Sequence, residues 1–434
     1  MEIAVIGGTR GLGNWIASYL KKKGCDVTIT GRDNQQGINI SRKMGVKYTP
    51  NNIEAANNSD ITILAVPIDV IPRTIEEIAP HLKAGSLLVD VASVKEKPAQ
   101  IMLEYVPDGA EFLPIHPVFG PRIRSLDGQV VVLTPIKKGK WYEKVIKFLE
   151  SENARLIETT PTIHDQMMSV VQGLTHFTYI SMAATLEKLD VDVKASRKFS
   201  SPIYNLMLDM ITRITAQNPY LYYSIQTHNP YIPQTREEFL STYKDLNEMV
   251  GKGKKNNFVK IMSSAAKHMN DLEASLGRSD KAISVLNHEL NILKNSIGKE
   301  VGLRHVYSRR IHVGKLEEIS PEFVTLTHHS RSIKLKISNV EILSPGELQT
   351  YKYNTIPRKS FDVSVVLPES ANAEMVTDVV QSIDDVVDSQ LLDVYHGGQI
   401  NKGMISITLR YEVINPHARE KVEALLKGFG GIIR

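Results

Sequence analysis

Cysteine is nearly absent: Cys25 is the only one in 434 residues. That excludes an intrachain disulfide and any metal site built on several thiolates. A dominant charge is missing too. Lys and Arg exceed Asp and Glu by only four at this length, which gives no electrostatic footprint for nucleic acid or an anionic membrane. No apolar run approaches the ~20 residues of a membrane span. There is no internal repeat and no low-complexity tract. A strand pattern begins at Glu2 with nothing of signal-peptide character before it, so a soluble cytoplasmic protein is expected. What is present is ordinary globular composition, 42% hydrophobic and 23% charged, in a chain too long for one core.

Four segments differ in texture. Residues 1–160 alternate short apolar runs with helical patterns. Glu2–Ile6, Val27–Thr30, Ile61–Val66, Leu87–Val91 and Val130–Thr134 are uniformly apolar or nearly so, as strands covered on both faces should be. This predicts a Rossmann-type α/β domain, a doubly wound parallel sheet that binds ligands beyond its strands' carboxyl ends. Residues 161–298 read as all-helical, with helices over His164–Lys188, Asn205–Ala216, Gln234–Val250 and Asn256–Lys294. Residues 299–357 read as a small all-β module, with strands over Arg304–Val313, Phe323–Thr327, Ile333–Ile337 and Glu341–Leu343. Its breaks fall at Gly314, Pro321 and Ser344–Gly346. Residues 358–434 run strand, helix, strand, strand, helix, strand, which is the ferredoxin-like order.

A glycine-rich turn, Gly7-Gly8-Thr9-Arg10-Gly11-Leu12-Gly13, joins the first strand to a helix. It departs from GxGxxG and fits GxxxGxG through Gly7, Gly11 and Gly13. The physical demand is the same, because backbone must approach a pyrophosphate closely at a helix N-terminus. NAD-binding domains usually end the second strand on Asp or Glu for the ribose hydroxyl. Here that place holds Gly31, followed by Arg32, and Arg10 lies in the first turn. Two guanidinium groups favour the 2′-phosphate of NADP; NAD is the alternative, with Asp33 in the acidic role. Val66 and Pro67 end another strand at the same edge. Ser93 and His116, the latter between prolines in Leu113–Pro121, lie where strands should end, so chemistry is expected there. Ser93 with Glu96 also has the spacing of a capping box. Gln172 and His176 are four apart and share a helix face.

The chain resembles the prephenate and arogenate dehydrogenases over roughly residues 1–295. The carriers are Ile6-Gly7-Gly8, Val89–Lys95, His116–Pro121, Val171–His176, Ile211–Ile214 with Asn218-Pro219, and His228-Asn229. The resemblance implies oxidative decarboxylation of prephenate to 4-hydroxyphenylpyruvate, with hydride passing to NADP or NAD, in tyrosine biosynthesis. It implies His116 as the base for the ring 4-hydroxyl, assisted by Ser93. His176 and Gln172 would lie on the substrate side, and Arg213 would hold a substrate carboxylate. It also implies a homodimer through the helical domain. Tyr222 stands where the family often has Trp. The loop Phe119-Gly120-Pro121-Arg122 replaces the usual Ala-Gly-Thr/Ser-Glu, which would let Arg122 meet the pyruvyl carboxylate. Arogenate dehydrogenase, or a non-catalytic nucleotide-sensing regulator, are the other readings.

Residues 361–434 resemble the ferredoxin-fold anticodon-binding domain of the phenylalanyl-tRNA synthetase β subunit, through Leu391–Tyr395, Gly398–Ile400, Lys402-Gly403, Ser406-Ile407 and Leu425–Gly430. This segment holds six Lys or Arg against eleven Asp or Glu, the wrong sign for RNA. A regulatory or oligomerisation module, with an amino-acid effector such as tyrosine or phenylalanine, is the expectation.

Overall fold

Strand β1 (Glu2–Ile6) shows why an uninterrupted apolar run is a two-faced strand. Ile3 and Val5 join one hydrophobic core, Ala4 and Ile6 the other. The computed structural model describes residues 1–434 except 321, 329 and 330, so the break expected at Pro321 lies outside the described residues. From β1 the chain runs through α1 (Gly11–Lys22), β2 (Asp26–Ile29), α2 (Asn34–Met44), β3 (Lys47–Tyr48), α3 (Asn52–Asn57), β4 (Ile61–Leu64), α4 (Ile71–Ile78) and β5 (Leu87–Asp90). It continues with α5 (Glu96–Tyr105), β6 (Glu111–Pro117), β7 (Val130–Leu133), α6 (Lys140–Ser151) and β8 (Arg155–Glu158).

These strands form one sheet in the order β3-β2-β1-β4-β5-β6-β7-β8. The first six are parallel, and the order reverses between β1 and β4, the switch point where such sheets take ligands. The sheet is not parallel throughout. β7 runs antiparallel to β6, pairing His116 with Val132, and β8 follows β7 in parallel. No helix connects β6 to β7, so the crossover that a parallel neighbour normally uses is missing.

The helical part holds α7 (Pro161–Met168), α8 (Thr175–Lys188), α9 (Val193–Ser196), α10 (Pro202–Thr215), α11 (Pro219–His228), α12 (Ile232–Gly251) and α13 (Lys255–His268). The continuous helix expected over His164–Lys188 is interrupted by a π-helical stretch, Ser169–Leu174, the kind of bulge that re-aims side chains. Ile225 and Ile232 pack into the core under the sheet, which fixes the helices to one face of it.

The long helix expected over Asn256–Lys294 is two, because Asn270 takes a left-handed φ of 57° before α14 (Leu272–Asn295). The chain parts into two compact units, 1–272 and 273–434. Thus α14 groups with the following sheet, whereas the sequence placed it before a boundary at 298. The reason is Leu293, which is buried in that sheet's core.

In the second unit, β9 (Glu300–His305), β10 (Ile311–Ile319), β11 (Phe323–His328), β12 (Arg331–Lys336) and β13 (Val340–Ile342) form a five-stranded antiparallel sheet. The strand expected over Arg304–Val313 is instead the end of β9, a turn with Arg309 at φ 61°, and the start of β10. The module is not all-β: α15 (Pro345–Thr355) starts at Ser344, where Ser344 and Glu347 close a capping box. Then β14 (Lys359–Pro368), α16 (Ala373–Gln381), β15 (Val386–Tyr395), β16 (Met404–Val413), α17 (Ala418–Gly428) and β17 (Ile432–Ile433) make a sheet of order β15-β16-β14-β17. All its pairs are antiparallel, the ferredoxin-like arrangement.

Candidate active site

The turn after β1 packs backbone against backbone. Gly7 has a φ of 84°, and a Cβ there would lie 2.7 Å from the Ala65 carbonyl oxygen, just past β4. A Cβ on Gly13 would lie 2.5 Å from the Gly7 carbonyl oxygen. A Cβ on Gly8 would lie 2.7 Å from the Ile29 side chain, and half-buried Val66 and exposed Pro67 follow β4 beside the turn. Gly11, at φ 55°, faces open space. The first turn of α1, which begins Gly11-Leu12-Gly13, has no acidic residue and no side-chain cap. Its free N–H groups and dipole are left for an outside anion. A cradle that a Cβ would fill, at a switch point, fits the diphosphate of a dinucleotide.

A Cβ on Gly31 would lie 2.6 Å from the Thr9 side chain. The first turn and the end of β2 therefore touch, and exposed Arg10 and Arg32 each follow one of the touching residues. Arg10 donates from Nε to Gln36 Oε1 at 2.7 Å. Asp33, the carboxylate in this region, is occupied as the N-cap of α2, accepting the Gln36 N–H at 3.0 Å.

At the end of β6, His116 is 2% exposed. Its Nδ1 is 2.8 Å from His164 Nε2 on α7. His164 Nδ1 is 2.7 Å from the Asp165 carboxylate. That carboxylate also accepts the Lys95 and Glu96 backbone N–H groups at 2.8 and 2.9 Å. Asn229 donates to the Asp165 carbonyl at 2.7 Å. On the other side of the ring, Gln172 Nε2 is 3.3 Å from His116 Nε2. Gln172 sits in the π-helical stretch, whose Gly173 carbonyl is held by Gln226 at 2.8 Å. Burial, then the neighbouring His164 and Lys95, push the His116 imidazole well below its usual 6.5. The ring is therefore held in its neutral form.

Lys95 is fully buried, ion-paired with Asp90 at the end of β5, and donates to the Ile115 carbonyl at 2.8 Å. It thereby ties the strand carrying His116 to the turn carrying Ser93. Ser93 is half-buried in that turn. It does not cap α5 as its spacing suggested. The helix begins at Glu96, and the Asp165 carboxylate caps it from another element, because Val94 and Lys95 turn inward.

His176 stands one turn beyond Gln172 and meets the buried Tyr222 ring edge-on, centroids 4.6 Å apart. Burial pushes His176 down to about 4. Its Nδ1 and Gln172 Oε1 are buried with no hydrogen-bond partner among the described residues, a sign of polar positions that a ligand would satisfy. Arg213 is exposed at the end of α10, where its charge lowers the Tyr222 phenol against the larger upward push of burial. The Gly120 Cβ position is 3.9 Å from Gln217 Oε1, just past α10. The structure thus brings His116, Gln172, His176 and the Arg213 end of α10 to one side of the sheet edge. Arg122 is exposed in the same loop as Gly120, which Trp15 anchors by donating to the Ile123 carbonyl at 2.9 Å. The sequence reading gave no role to His164, Asp165, Lys95 or Asp90. Their signal was a lysine inside an apolar motif and an adjacent His-Asp pair opening a helix.

Two family models match the chain: the nucleotide-binding domain of prephenate dehydrogenase over residues 16–158, and its dimerization domain over 160–264. A Methanocaldococcus jannaschii protein named probable arogenate/prephenate dehydrogenase is 43% identical over 99% of this chain and 98% of its own length. The Haemophilus influenzae T-protein is 34% identical over 52% of this chain and 55% of its length. The crystal structure of prephenate dehydrogenase from A. aeolicus in complex with hydroxyphenyl propionate and NAD+ has a TM-score of 0.51 at 19% identity. It covers 63% of this chain and 98% of that one, a likeness of fold.

Proposed function

The chain belongs to the prephenate dehydrogenase family, and from that premise we propose that it oxidises and decarboxylates prephenate to 4-hydroxyphenylpyruvate with NADP as hydride acceptor. The observation that carries this reading is the buried, neutral His116 at the carboxyl edge of the sheet, with its outer nitrogen facing Gln172.

Gly7, Gly8, Thr9, Gly11, Leu12 and Gly13 hold the diphosphate, with Val66 and Pro67 lining the way to the nicotinamide. Arg10 and Arg32 hold the 2′-phosphate. The bound nicotinamide supplies the hydride acceptor. His116 Nε2 takes the proton of the ring 4-hydroxyl as hydride leaves C4, and returns it as the C1–carboxylate bond breaks and the ring becomes aromatic. A neutral imidazole suits this task, because a protonated one has no lone pair. Ser93 orients the hydroxyl, Gln172 and His176 line the ring, and Arg213 takes a carboxylate of the dianionic substrate. Two chains pair through the helical domain. Arg122, exposed in the loop after β6, takes the pyruvyl carboxylate.

The test is nucleotide reduction at 340 nm with prephenate and with arogenate, each with NADP and with NAD. Turnover of prephenate with NADP preferred supports the reading. Preference for arogenate changes the substrate, preference for NAD removes the two-arginine argument, and no turnover in any combination sinks the enzyme reading.

A further inference from the structure

We propose that His164 and Asp165 are positioning residues that fix the tautomer of His116, placing its proton on Nδ1 and leaving Nε2 bare toward the substrate side. This rests on the reading of His116 as the base and adds how the base is held ready.

Donors and acceptors run in one chain from α5 to the substrate side. A carboxylate only accepts. The Asp165 carboxylate takes two backbone N–H groups from the start of α5, so at 2.7 Å from His164 it requires a proton on His164 Nδ1. With its one ring proton there, His164 presents a bare Nε2. At 2.8 Å that nitrogen must receive the proton of His116 Nδ1. His116 Nε2 is left as an acceptor, and the Gln172 amide donates to it at 3.3 Å. The assignment is consistent at every link, and reversing any one sets two lone pairs or two protons against each other. All three of His116, His164 and Asp165 are 2% exposed or less, so bulk water does not reach them. The same carboxylate anchors the turn that carries Ser93, so the two groups meant to meet the 4-hydroxyl share one support.

The titratable groups facing His116 are His164 from α7 and Lys95 from the β5–α5 turn, with neutral Gln172 on the other side. Asp165→Asn is a poor probe, since its amide would confront a backbone N–H and uncap α5. His164→Leu removes the acceptor, and His164→Gln returns one through Oε1. In full-length protein, kcat of H164L should fall about 10²-fold or more, in the range a misplaced general base costs. KM for prephenate should change far less, and H164Q should recover most of the loss. The second readout is the histidine ¹⁵N spectrum, assigned with His116→Asn. Wild-type His116 should show a protonated Nδ1 and bare Nε2, and H164L should move the proton to Nε2. A wild-type His116 protonated on Nε2, or an H164L enzyme with undiminished kcat, overturns the proposal. Because the spectrum needs no turnover, failure of the relay and failure of the proposed reaction are told apart.

Discussion

His116 and His176 are imidazoles that burial holds below their usual 6.5, and each makes a prediction. His116→Asn should lower turnover by about 10²–10⁴-fold and leave the dissociation constant of the nucleotide unchanged in a direct titration. Loss of both together would mean a folding defect instead. Because His116 titrates well below 6.5, the acid limb of kcat/KM should lie below the ordinary histidine range; a midpoint near 6.5 would contradict its burial. A depressed histidine binds its proton more tightly unfolded than folded, so stability is level above pH 6.5 and lost as pH falls toward the folded value. For His176, at about 4, the loss between pH 6.5 and 5 is of order 2 kcal/mol. Urea unfolding should show it, and His176→Gln should flatten the slope. At this scale the sequence made His116 legible, because prolines on both sides and an apolar strand before it are an unusual setting. His164 and Asp165 were not legible. In sequence they look like the opening of an amphipathic helix, and only folding sets that helix against α5.

The strand–turn–helix at the amino end and the β6–β7 hairpin are the elements that make the site. A Gly13→Ala side chain would meet the Gly7 carbonyl oxygen at 2.5 Å. Backbone gives way there only by opening the cradle, so nucleotide affinity should fall beyond detection in isothermal titration while the fold persists. Arg32→Ala should weaken NADP by about 10–100-fold, the worth of a charge-assisted bond of roughly 1.5–3 kcal/mol, and leave NAD binding nearly as it was. Equal weakening of both would place Arg32 away from the 2′-phosphate. The parallel strands were legible because burial on both faces leaves a continuous apolar run. Three features were hidden. The π-helical stretch at 169–174 has no breaker residue to announce it. The reversal of β7 depends on a loop with no helical period. Helix α15 hides behind Ser344-Pro345-Gly346, which reads as a turn although Ser344 caps the helix and Pro345 opens it.

The chain is two compact units with separate cores, 1–272 and 273–434. Only the first holds the glycine turn, so a ligand that binds it stabilises that unit by mass action. Calorimetry should resolve two transitions, and NADP at a hundred times its dissociation constant should raise one by about 2.7 kcal/mol and leave the other in place. Tyrosine or phenylalanine, if effectors of the ferredoxin-like module, should move the other. No shift and no change in turnover would remove the effector reading. The order of units was legible from changes in texture along the chain. The division at 272 was not, because α14 is helical like the residues before it, and Leu293 declares its allegiance only by packing. The proposed reaction is oxidation of prephenate with a neutral His116 as the base. The most direct measurement is the initial rate of nucleotide reduction with prephenate and NADP, wild type beside His116→Asn, from pH 5 to 9. The account predicts turnover with an acid limb below 6.5, nearly abolished in the variant although it still binds NADP. A variant that retains turnover would contradict it.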